Sequence, residues 1–275
     1  AESMSHVPMI GYKLTPSYEA AMENINYSVS MGATAEAVAK KYNITREMAD
    51  EFSVRSHTNA ERAIDNGYFT DQIVPIDVEE VFVKDGKRVE MTHTVSMDEG
   101  LRRGTSMEGL GRLRAAFKNG GIVTAGNSSQ TSDGAAFLIV MSEAMVHELL
   151  LEPEARLMSC AVGGVEPLYM GIGPCVAIPK ALKQAGLKMD DIDLIELNEA
   201  FASQALAVID QAGIDIDKTN VNGGAIALGH PLGCTGAKLS IQLMHEMRRR
   251  GNKYGMVTAC VGGGQGIAGI YELLK

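Results

Sequence analysis

Hydrophobic positions recur with two different periods along the chain, and the helical period comes first. After Thr45, a typical N-cap residue, small and apolar residues share one face at three- and four-residue spacing, and Asn66-Gly67 ends this stripe. Its members are Met48, Phe52, Ser56, Ala60, Ala63 and Ile64. Residues 72–83 then read as a strand, and Asp85-Gly86 predicts a hairpin turn. Residues 92–120 keep no period and predict a long covering loop.

From Ile122 onward, short apolar runs alternate with helical stretches. The predicted strands are 122–125, 135–141, 156–162, 192–197, 254–261 and 267–274, and the predicted helices are 142–150, 174–185, 199–212 and 237–250. This alternation predicts an α/β architecture in which helices cover a sheet, with a boundary near residue 152 and a helical insertion over residues 12–120.

Composition narrows the classes of protein that fit. The chain has 275 residues with a net charge of −9, 45% hydrophobic and 21% charged residues, which excludes a disordered chain and argues against general nucleic-acid binding. No apolar run is long enough for a bilayer span, so membrane insertion is not expected. Four cysteines without a CxxC pair exclude a disulfide framework and a zinc knuckle, and predict a reducing compartment, the cytoplasm or an organelle matrix.

Two polar residues stand at joints between predicted elements. Asn198 lies between a strand and a helix, where it either caps the helix or orients a ligand or a water; the residue type alone favours the cap. Glu199 would then lie in the first helical turn, with a buried partner as the alternative. His230 lies on no apolar stripe, between Gly229 and Pro231, and its imidazole can take or give a proton near neutral pH. We interpret His230 as functional.

The cysteines divide by setting. Cys260 ends a predicted buried strand and is followed by Gly262-Gly263-Gly264, whose N–H groups can stabilise a developing oxyanion; an inert buried thiol is the alternative. Cys160 and Cys175 lack such a setting and are interpreted as inert buried residues. Cys234 follows the His230 loop and stays open between packing and chemistry.

Two further stretches point to a ligand. Five basic residues lie between Arg102 and Lys118 with Glu108 as the opposing charge, which indicates a phosphate-bearing ligand. The small polar residues of 124–134 follow a predicted strand, where they either make turns or leave room for a slim ligand chain.

A histidine and a cysteine on glycine-rich joints, together with an amide on a third joint, indicate acyl transfer through a thiol. Three segments closely resemble the C-terminal motifs of thiolases: residues 198–201 (Asn-Glu-Ala-Phe), residues 223–236 around His230, and residues 260–264. Residues 31–36 and 124–127 resemble further thiolase segments. The resemblance implies a five-layer αβαβα sandwich of two similar halves, with a loop domain inserted in the first.

The resemblance also implies an activity, which is exchange of an acyl group between coenzyme A and a second acyl-CoA. His230 would activate a nucleophilic cysteine, and Cys260 would protonate the departing enolate carbon. His230 with a water held by Asn198 would form one oxyanion hole, and the Gly262 N–H would contribute to the second. No metal and no permanently bound cofactor are implied, since coenzyme A and acyl-CoA are substrates.

Coenzyme A binding is implied for six residues. Arg102 matches the residue that packs on the adenine, and the pantetheine channel is lined by Met31, Phe117, Ala125, Ser129 and Phe201. The chain departs from the family pattern at Ser30, where several relatives carry His, and at Gly109, where some carry Ser.

The start of the chain carries the largest departure. Residues 1–5 resemble the strand end that follows the nucleophilic cysteine in thiolases, and none of the four cysteines occupies the place of that nucleophile. We therefore expect an incomplete first half, exposed edge strands and an apolar face, and no activity from this chain alone. The expected organisation is a remnant strand of the first half in 1–11, a loop domain covering CoA in 12–120, return elements in 121–152 and the C-terminal half in 153–275. Expected partners are a second copy, as a homodimer or homotetramer, and a separate N-terminal thiolase segment.

The favoured function is thiolysis of 3-ketoacyl-CoA, or the reverse condensation, and residues 163–174 favour the degradative direction. An acetyl-CoA acetyltransferase specific for acetoacetyl-CoA and a non-catalytic module that binds CoA or mediates assembly are alternatives. A ketoacyl synthase of the same fold would carry a second histidine in place of Cys260, which argues against that class.

Overall fold

A computed structural model describes residues 1–8, 11–13 and 15–274. Its helices are α1 Tyr18–Glu23, α2 Met31–Lys41, α3 Arg46–Asp65, α4 Met107–Gly111, α5 Glu143–Glu148, α6 Pro174–Ala185, α7 Ala202–Ala212, α8 Ala225–Leu228 and α9 Thr235–Arg250. Its strands are β1 Glu2–Ser3, β2 Ile76–Lys84, β3 Lys87–Val95, β4 Asp133–Gly134, β5 Ala155–Gly164, β6 Leu194–Leu197, β7 Tyr254–Val261 and β8 Gln265–Leu273.

The C-terminal part is a four-stranded sheet covered by helices on both faces. The strand order is β5-β8-β7-β6, with β6 and β7 parallel and the other pairs antiparallel. Successive residues of a strand point to opposite faces, so Leu194 packs with Leu243 of α9 whereas Ile195 packs in the cluster that holds α6 and α7. This arrangement confirms the predicted α/β layers and places the carboxyl ends of β6 and β7 side by side.

The predicted ends of the helices follow from backbone chemistry. Thr45 accepts a hydrogen bond from the Met48 N–H at the start of α3, as its N-cap position predicts. Gly213 ends α7 and Gly251 ends α9, both in the left-handed conformation that glycine adopts without steric cost. Residues 17–66 form the three separate helices α1, α2 and α3, because Asn24, Ser30 and Thr45 have extended backbones.

The hairpin predicted around Asp85-Gly86 is present, and both residues have a positive φ, as a two-residue turn requires. It begins at Ile76 instead of residue 72, and its second strand reaches Val95. The expected loop therefore begins a few residues later than the sequence indicated. It contains the short helix α4.

Two strands predicted before residue 152 do not form. Residues 122–125 contribute one isolated bridge, between Ala115 and Thr124, and residues 135–141 pair with no strand among the described residues. The strand β4, which immediately precedes residues 135–141, does pair, and its partner is β1. A strand needs a hydrogen-bonded neighbour, and Phe137, Ile139 and Val140 are 83%, 87% and 85% exposed. The expected exposed apolar face is thus observed.

Among the helices of the described residues, none combines the apolar character and the length that a bilayer span demands.

Candidate active site

Asn198 lies where β6 leaves the sheet. Its backbone N–H donates to the Thr258 carbonyl of the neighbouring strand β7 at 2.9 Å, and its side chain is fully buried. The helix begins at Ala202 with Phe201 as its N-cap residue. The interpretation of Asn198 as a helix cap is therefore wrong, and its amide is free to act on the site.

His230 follows α8 in an irregular loop and is held by three contacts. Its backbone N–H donates to Ser132 Oγ at 3.1 Å. Its Nδ1 lies 2.6 Å from Thr235 Oγ1, and its Nε2 lies 3.3 Å from Asn198 Nδ2. The structure thus brings together the predicted histidine and the predicted amide.

These contacts select one tautomer of His230. The Thr235 hydroxyl donates its hydrogen to the Pro231 carbonyl at 2.9 Å, so its oxygen accepts from Nδ1–H of the imidazole. Nε2 then carries a lone pair and accepts from the Asn198 amide. A lone pair on a partly buried Nε2 can receive a proton from a thiol.

The electrostatic surroundings keep this imidazole neutral. Burial is the larger cause and the positive charge of Lys238 the smaller one, and together they lower the pKa of His230 from 6.5 to about 4. At neutral pH the side chain is consequently in its basic form.

Cys260 is the next-to-last residue of β7, opposite Gly266 of β8. Burial raises the pKa of its thiol to about 12, so it keeps its proton at neutral pH and can donate it. Gly262 lies two residues further on and is exposed, with no heavy atom within 4 Å of the position that a Cβ would take. Gly263 and Gly264 both have a positive φ, which explains the glycines of this turn.

Asn198 connects the two proton-transfer candidates. Through its side chain it contacts His230, and through its backbone it contacts Thr258, two residues before Cys260 on the same strand. The amide, the imidazole and the thiol therefore belong to the loops and strand ends at one edge of the sheet, as expected for ligand chemistry in α/β proteins.

The buried carboxyl group of Glu199 connects several segments at this edge of the sheet. Glu199 Oε2 accepts from Ser56 Oγ at 2.6 Å and from the Ile226 N–H at 3.3 Å, and Oε1 accepts from Asn220 Nδ2 at 2.7 Å. A Cβ at Gly224 would lie within 2.4 Å of both carboxylate oxygens, so glycine is required there. Burial raises the pKa of Glu199 despite these donors. Glu199 is not in a first helical turn, and the buried-partner alternative is the correct one.

Two of the residues expected along the pantetheine channel are aromatic and contact each other. Phe117 and Phe201 meet edge to face with ring centroids 6.1 Å apart. The Phe117 ring packs so closely on Gly32, next to Met31, that a Cβ there would lie 2.1 Å from it. The Ser129 N–H donates to the Ala200 carbonyl at 2.9 Å, which holds the small polar segment beside Phe201. Ala125 lies in an exposed turn of that segment.

Arg102 is exposed, and its backbone N–H contacts His57 Nδ1 at 3.4 Å. The basic stretch around it is partly neutralised, because Arg103 pairs with Glu61 and Asp65 of α3. Its positive charge is therefore smaller than the sequence balance indicated.

The other cysteines take no part in the contacts described above. Cys234 is buried, which favours a packing role. Cys175 is partly buried, and burial raises the pKa of its thiol to about 11. Cys160 is exposed, so its interpretation as a buried residue is wrong. It belongs to the edge strand β5, at a position that alternates with buried residues and so points outward.

Comparison with known proteins gives two family matches. The model of the thiolase N-terminal domain matches residues 1–144, and the model of the thiolase C-terminal domain matches residues 151–273. The chain belongs to the thiolase family. Its fold is accordingly a thiolase-like α/β sandwich.

Two acyltransferases of known name are similar over most of the chain. The 3-ketoacyl-CoA thiolase of Bacillus subtilis is 55% identical over 274 residues, which is 99% of this chain and 70% of that protein. An acetyl-CoA acetyltransferase of Escherichia coli is 50% identical over 245 residues, which is 89% of this chain and 60% of that protein. The chain thus spans roughly two thirds of the length of these relatives.

Among solved structures, human mitochondrial 3-ketoacyl-CoA thiolase aligns with a TM-score of 0.83 at 41% identity, covering 99% of this chain and 70% of that one. The same human thiolase in complex with CoA aligns with a TM-score of 0.82, covering 99% of this chain and 69% of that one.

Proposed function

We propose that this chain supplies the proton-transfer and CoA-binding groups of a thiolase acyltransferase, which cleaves 3-ketoacyl-CoA with CoA to acetyl-CoA and a shortened acyl-CoA. The observation that carries the proposal is the contact between His230 Nε2 and Asn198 Nδ2, with the tautomer of the imidazole set from its other side by Thr235. The 3-ketoacyl-CoA thiolase named among its relatives supports this substrate class.

In this proposal His230 acts first, as a base. Its neutral Nε2 takes the proton of the attacking thiol, whose sulfur bonds to C3 of the substrate. The resulting Nε2–H becomes a donor to the thioester carbonyl oxygen, which turns into the enolate oxygen when the bond between C2 and C3 breaks. Asn198 Oδ1 is buried without a hydrogen-bond partner among the described residues, so it has a free acceptor position for a bridging water.

Cys260 acts second, as an acid. Cleavage of the bond between C2 and C3 of the substrate leaves electrons on the carbon of the departing acetyl-CoA enolate, and a protonated thiol delivers the proton to it. The raised pKa of Cys260 fits this protonated state. In this proposal the N–H of Gly262 donates to the C3 oxygen, on which negative charge develops when the thiol attacks.

The attacking thiol is assigned to none of the four cysteines of this sequence. Cys160 is exposed on the edge strand β5, and Cys175 and Cys234 make none of the contacts described for His230 and Asn198. Cys260 is assigned as the acid. We therefore expect no thiolysis by this chain alone and expect the nucleophile to come from an N-terminal thiolase segment. Assembly as a homodimer or homotetramer, in the cytoplasm or an organelle matrix, completes the proposal.

The test is complementation. Adding a purified N-terminal segment of the Bacillus subtilis thiolase to the chain should give thiolysis of acetoacetyl-CoA, and Cys260→Ser should lower it by orders of magnitude. Cys160→Ser is the matched control and should leave the rate unchanged. Restored turnover that is independent of both Cys260 and His230 would contradict the assigned roles. Comparing acetoacetyl-CoA with longer 3-ketoacyl-CoA substrates distinguishes the acetyltransferase alternative, which the Escherichia coli relative supports.

A second candidate function is CoA binding without catalysis. It is favoured by the contact between Phe117 and Phe201 and the packing of Phe117 on Gly32 within this chain, together with the absence of an assigned nucleophile. Isothermal titration with CoA should show binding by the chain alone that weakens in Arg102→Ala. No measurable heat at high protein concentration would exclude this candidate.

A further inference from the structure

A polar cleft of about 230 Å³ lies between α3, the segment that precedes Asn222 and the end of α9. We refer to it as the arginine cleft, and its lining residues are Arg55, Asn59, Arg62, Asp217, Val221 and Arg250. Three of these six residues carry a guanidinium group, in a chain whose net charge is −9. Convergence of cations on one concave polar surface is the usual basis of oxyanion recognition.

The arginine cleft is on the side of α3 away from Arg102. Arg55, Asn59 and Arg62 follow one another at four and three residues, so they share one face of the helix. His57, which contacts the Arg102 N–H, lies two residues from Arg55 and so on the opposite face. A ligand in the arginine cleft would therefore not occupy the pantetheine channel.

Some of the arginine N–H donors in the cleft are already bonded to backbone carbonyls. Arg55 Nη2 donates to the carbonyls of Ile216 and Thr219 at 2.5 and 2.9 Å, and Arg62 Nη2 donates to the Val221 carbonyl at 2.7 Å. Arg55 Nη1 is buried and has no hydrogen-bond partner among the described residues. A purely structural role would satisfy this donor, since a buried N–H without a partner is costly.

The charges around the cleft are not balanced by carboxylates. Arg250 shares the carboxylate of Glu246 with Arg249, so that two cations face one anion. Asp217 is the only carboxylate among the described residues that line the cleft. Glu199 also acts on Arg55, but its carboxyl is fully buried and already accepts three hydrogen bonds.

Arg55 carries its charge in a half-buried position. Burial is the main cause that lowers its pKa; Glu199 and Asp217 oppose this change, and the charge of Arg62 adds the smallest contribution, a further lowering. A bound anion would give the unpartnered Nη1 of Arg55 an acceptor and would stabilise its charge. The side chains of Arg62 and Arg250 are exposed, so an anion can reach them from solvent.

We propose that the arginine cleft binds an oxyanion of the phosphate type, free or as the phosphoryl group of a larger ligand, in contact with Arg55, Arg62 and Arg250. This site is separate from the acyl-transfer site and does not depend on the proposed function. Guanidinium groups match tetrahedral oxyanions because each offers two parallel N–H donors.

Titration calorimetry with inorganic phosphate tests the site, at an ionic strength matched with chloride. The whole chain should bind one phosphate saturably, and Arg62→Gln and Arg250→Gln should each weaken binding by about tenfold or more. Arg88→Gln is the matched control, because Arg88 is an exposed, ion-paired arginine on the distant hairpin, and it should bind as the parent chain does. Asp217→Asn should bind more tightly, since it removes the carboxylate that repels the anion.

Asp217→Asn also controls for misfolding, because a variant that binds phosphate more tightly than the parent must have kept an intact cleft. A nucleoside monophosphate that binds with the same arginine dependence, and more tightly than phosphate, would identify the ligand as a phosphoryl group of a larger molecule. No saturable phosphate binding, or binding that is unchanged in Arg62→Gln, Arg250→Gln and Asp217→Asn, would overturn the proposal.

Discussion

Nδ1 of His230 lies 2.6 Å from Oγ1 of Thr235, the first residue of α9. The hydroxyl is itself fixed, because it donates to the Pro231 carbonyl at 2.9 Å. The start of a long helix thus determines which nitrogen of the imidazole carries the proton. The nitrogen left unprotonated is the one beside Asn198.

Thr235→Val should remove the preference of His230 for one tautomer. Without the hydroxyl oxygen, Nδ1–H loses its acceptor, so we expect a second tautomer to become populated and the ring to rotate. Long-range ¹H–¹⁵N NMR of ¹⁵N-histidine-labelled chain reports the tautomer directly and needs no activity. In the complemented enzyme, kcat should fall by roughly ten- to a hundredfold with little change in KM. Thr235→Ser keeps the oxygen and should retain both properties. A single Nδ1–H tautomer in the valine variant would contradict this role.

Asn198→Asp should change the basicity of the imidazole. A carboxylate about as close to Nε2 as the present amide, 3.3 Å away, would stabilise the imidazolium and raise the pKa of His230 from about 4. NMR titration of the His230 ring protons measures this change. Asn198→Ala is the control, since it removes the amide without adding charge and leaves the burial of the ring. Equal pKa values of His230 in the two variants would show that residue 198 does not act on the imidazole.

The lowered pKa of His230 also predicts how the stability of the fold depends on pH. Its pKa is about 4 in the folded chain and near 6.5 when unfolded, so between these values the unfolded chain binds more protons. The free energy of unfolding should therefore decrease as the pH falls from 6.5 to 4, and this histidine contributes up to about 1.4 kcal/mol per pH unit. Urea unfolding of the parent chain and His230→Gln at several pH values isolates the contribution, which the glutamine variant should lack. Parallel pH profiles would show that the pKa of His230 is not depressed.

The sequence predicted the C-terminal elements well because each has a local cause. Thr45 begins α3 through its side-chain hydroxyl, and Gly213 and Gly251 end α7 and α9 through their left-handed backbones. The bounds 174–185 and 254–261 agree with α6 and β7. His230 was identified from its position on a glycine-rich joint and Asn198 from the resemblance of residues 198–201 to a thiolase motif, although the roles that we assign to them stay predictions.

What the sequence could not provide depended on partners far away in the chain. Residues 122–125 and 135–141 have the composition of strands, but a strand forms only where a neighbour pairs with it. The role of Glu199 depends on Ser56, 143 residues earlier, which no local pattern reveals. Thr235 could have been found, since its spacing of five residues from His230 is short, but it lies beyond a proline whose turn had to be known first.

Ser56→Ala should destabilise the fold through Glu199. The substitution removes the Oγ donor at 2.6 Å and leaves a fully buried carboxyl with two donors instead of three. We expect a loss of about 1–3 kcal/mol in the free energy of unfolding, measured with urea. Ser53→Ala is matched in burial and helix, and its hydroxyl bonds only to the Ala49 carbonyl, so it should cost less. Equal losses in the two variants would show that Glu199 does not need the serine.

The last prediction concerns the exposed apolar face of residues 137–140. Because Ile139 and Val140 are 87% and 85% exposed and contribute nothing to a core, the double substitution to serine should leave the free energy of unfolding within about 0.5 kcal/mol of the parent. It should reduce self-association in sedimentation velocity and dye binding to apolar surface. Val83→Ser, on the hairpin, is the control for an exposed valine outside this face. An added N-terminal thiolase segment should slow amide exchange at Ile139 if it pairs there, and unchanged exchange in an active complex would place that segment elsewhere.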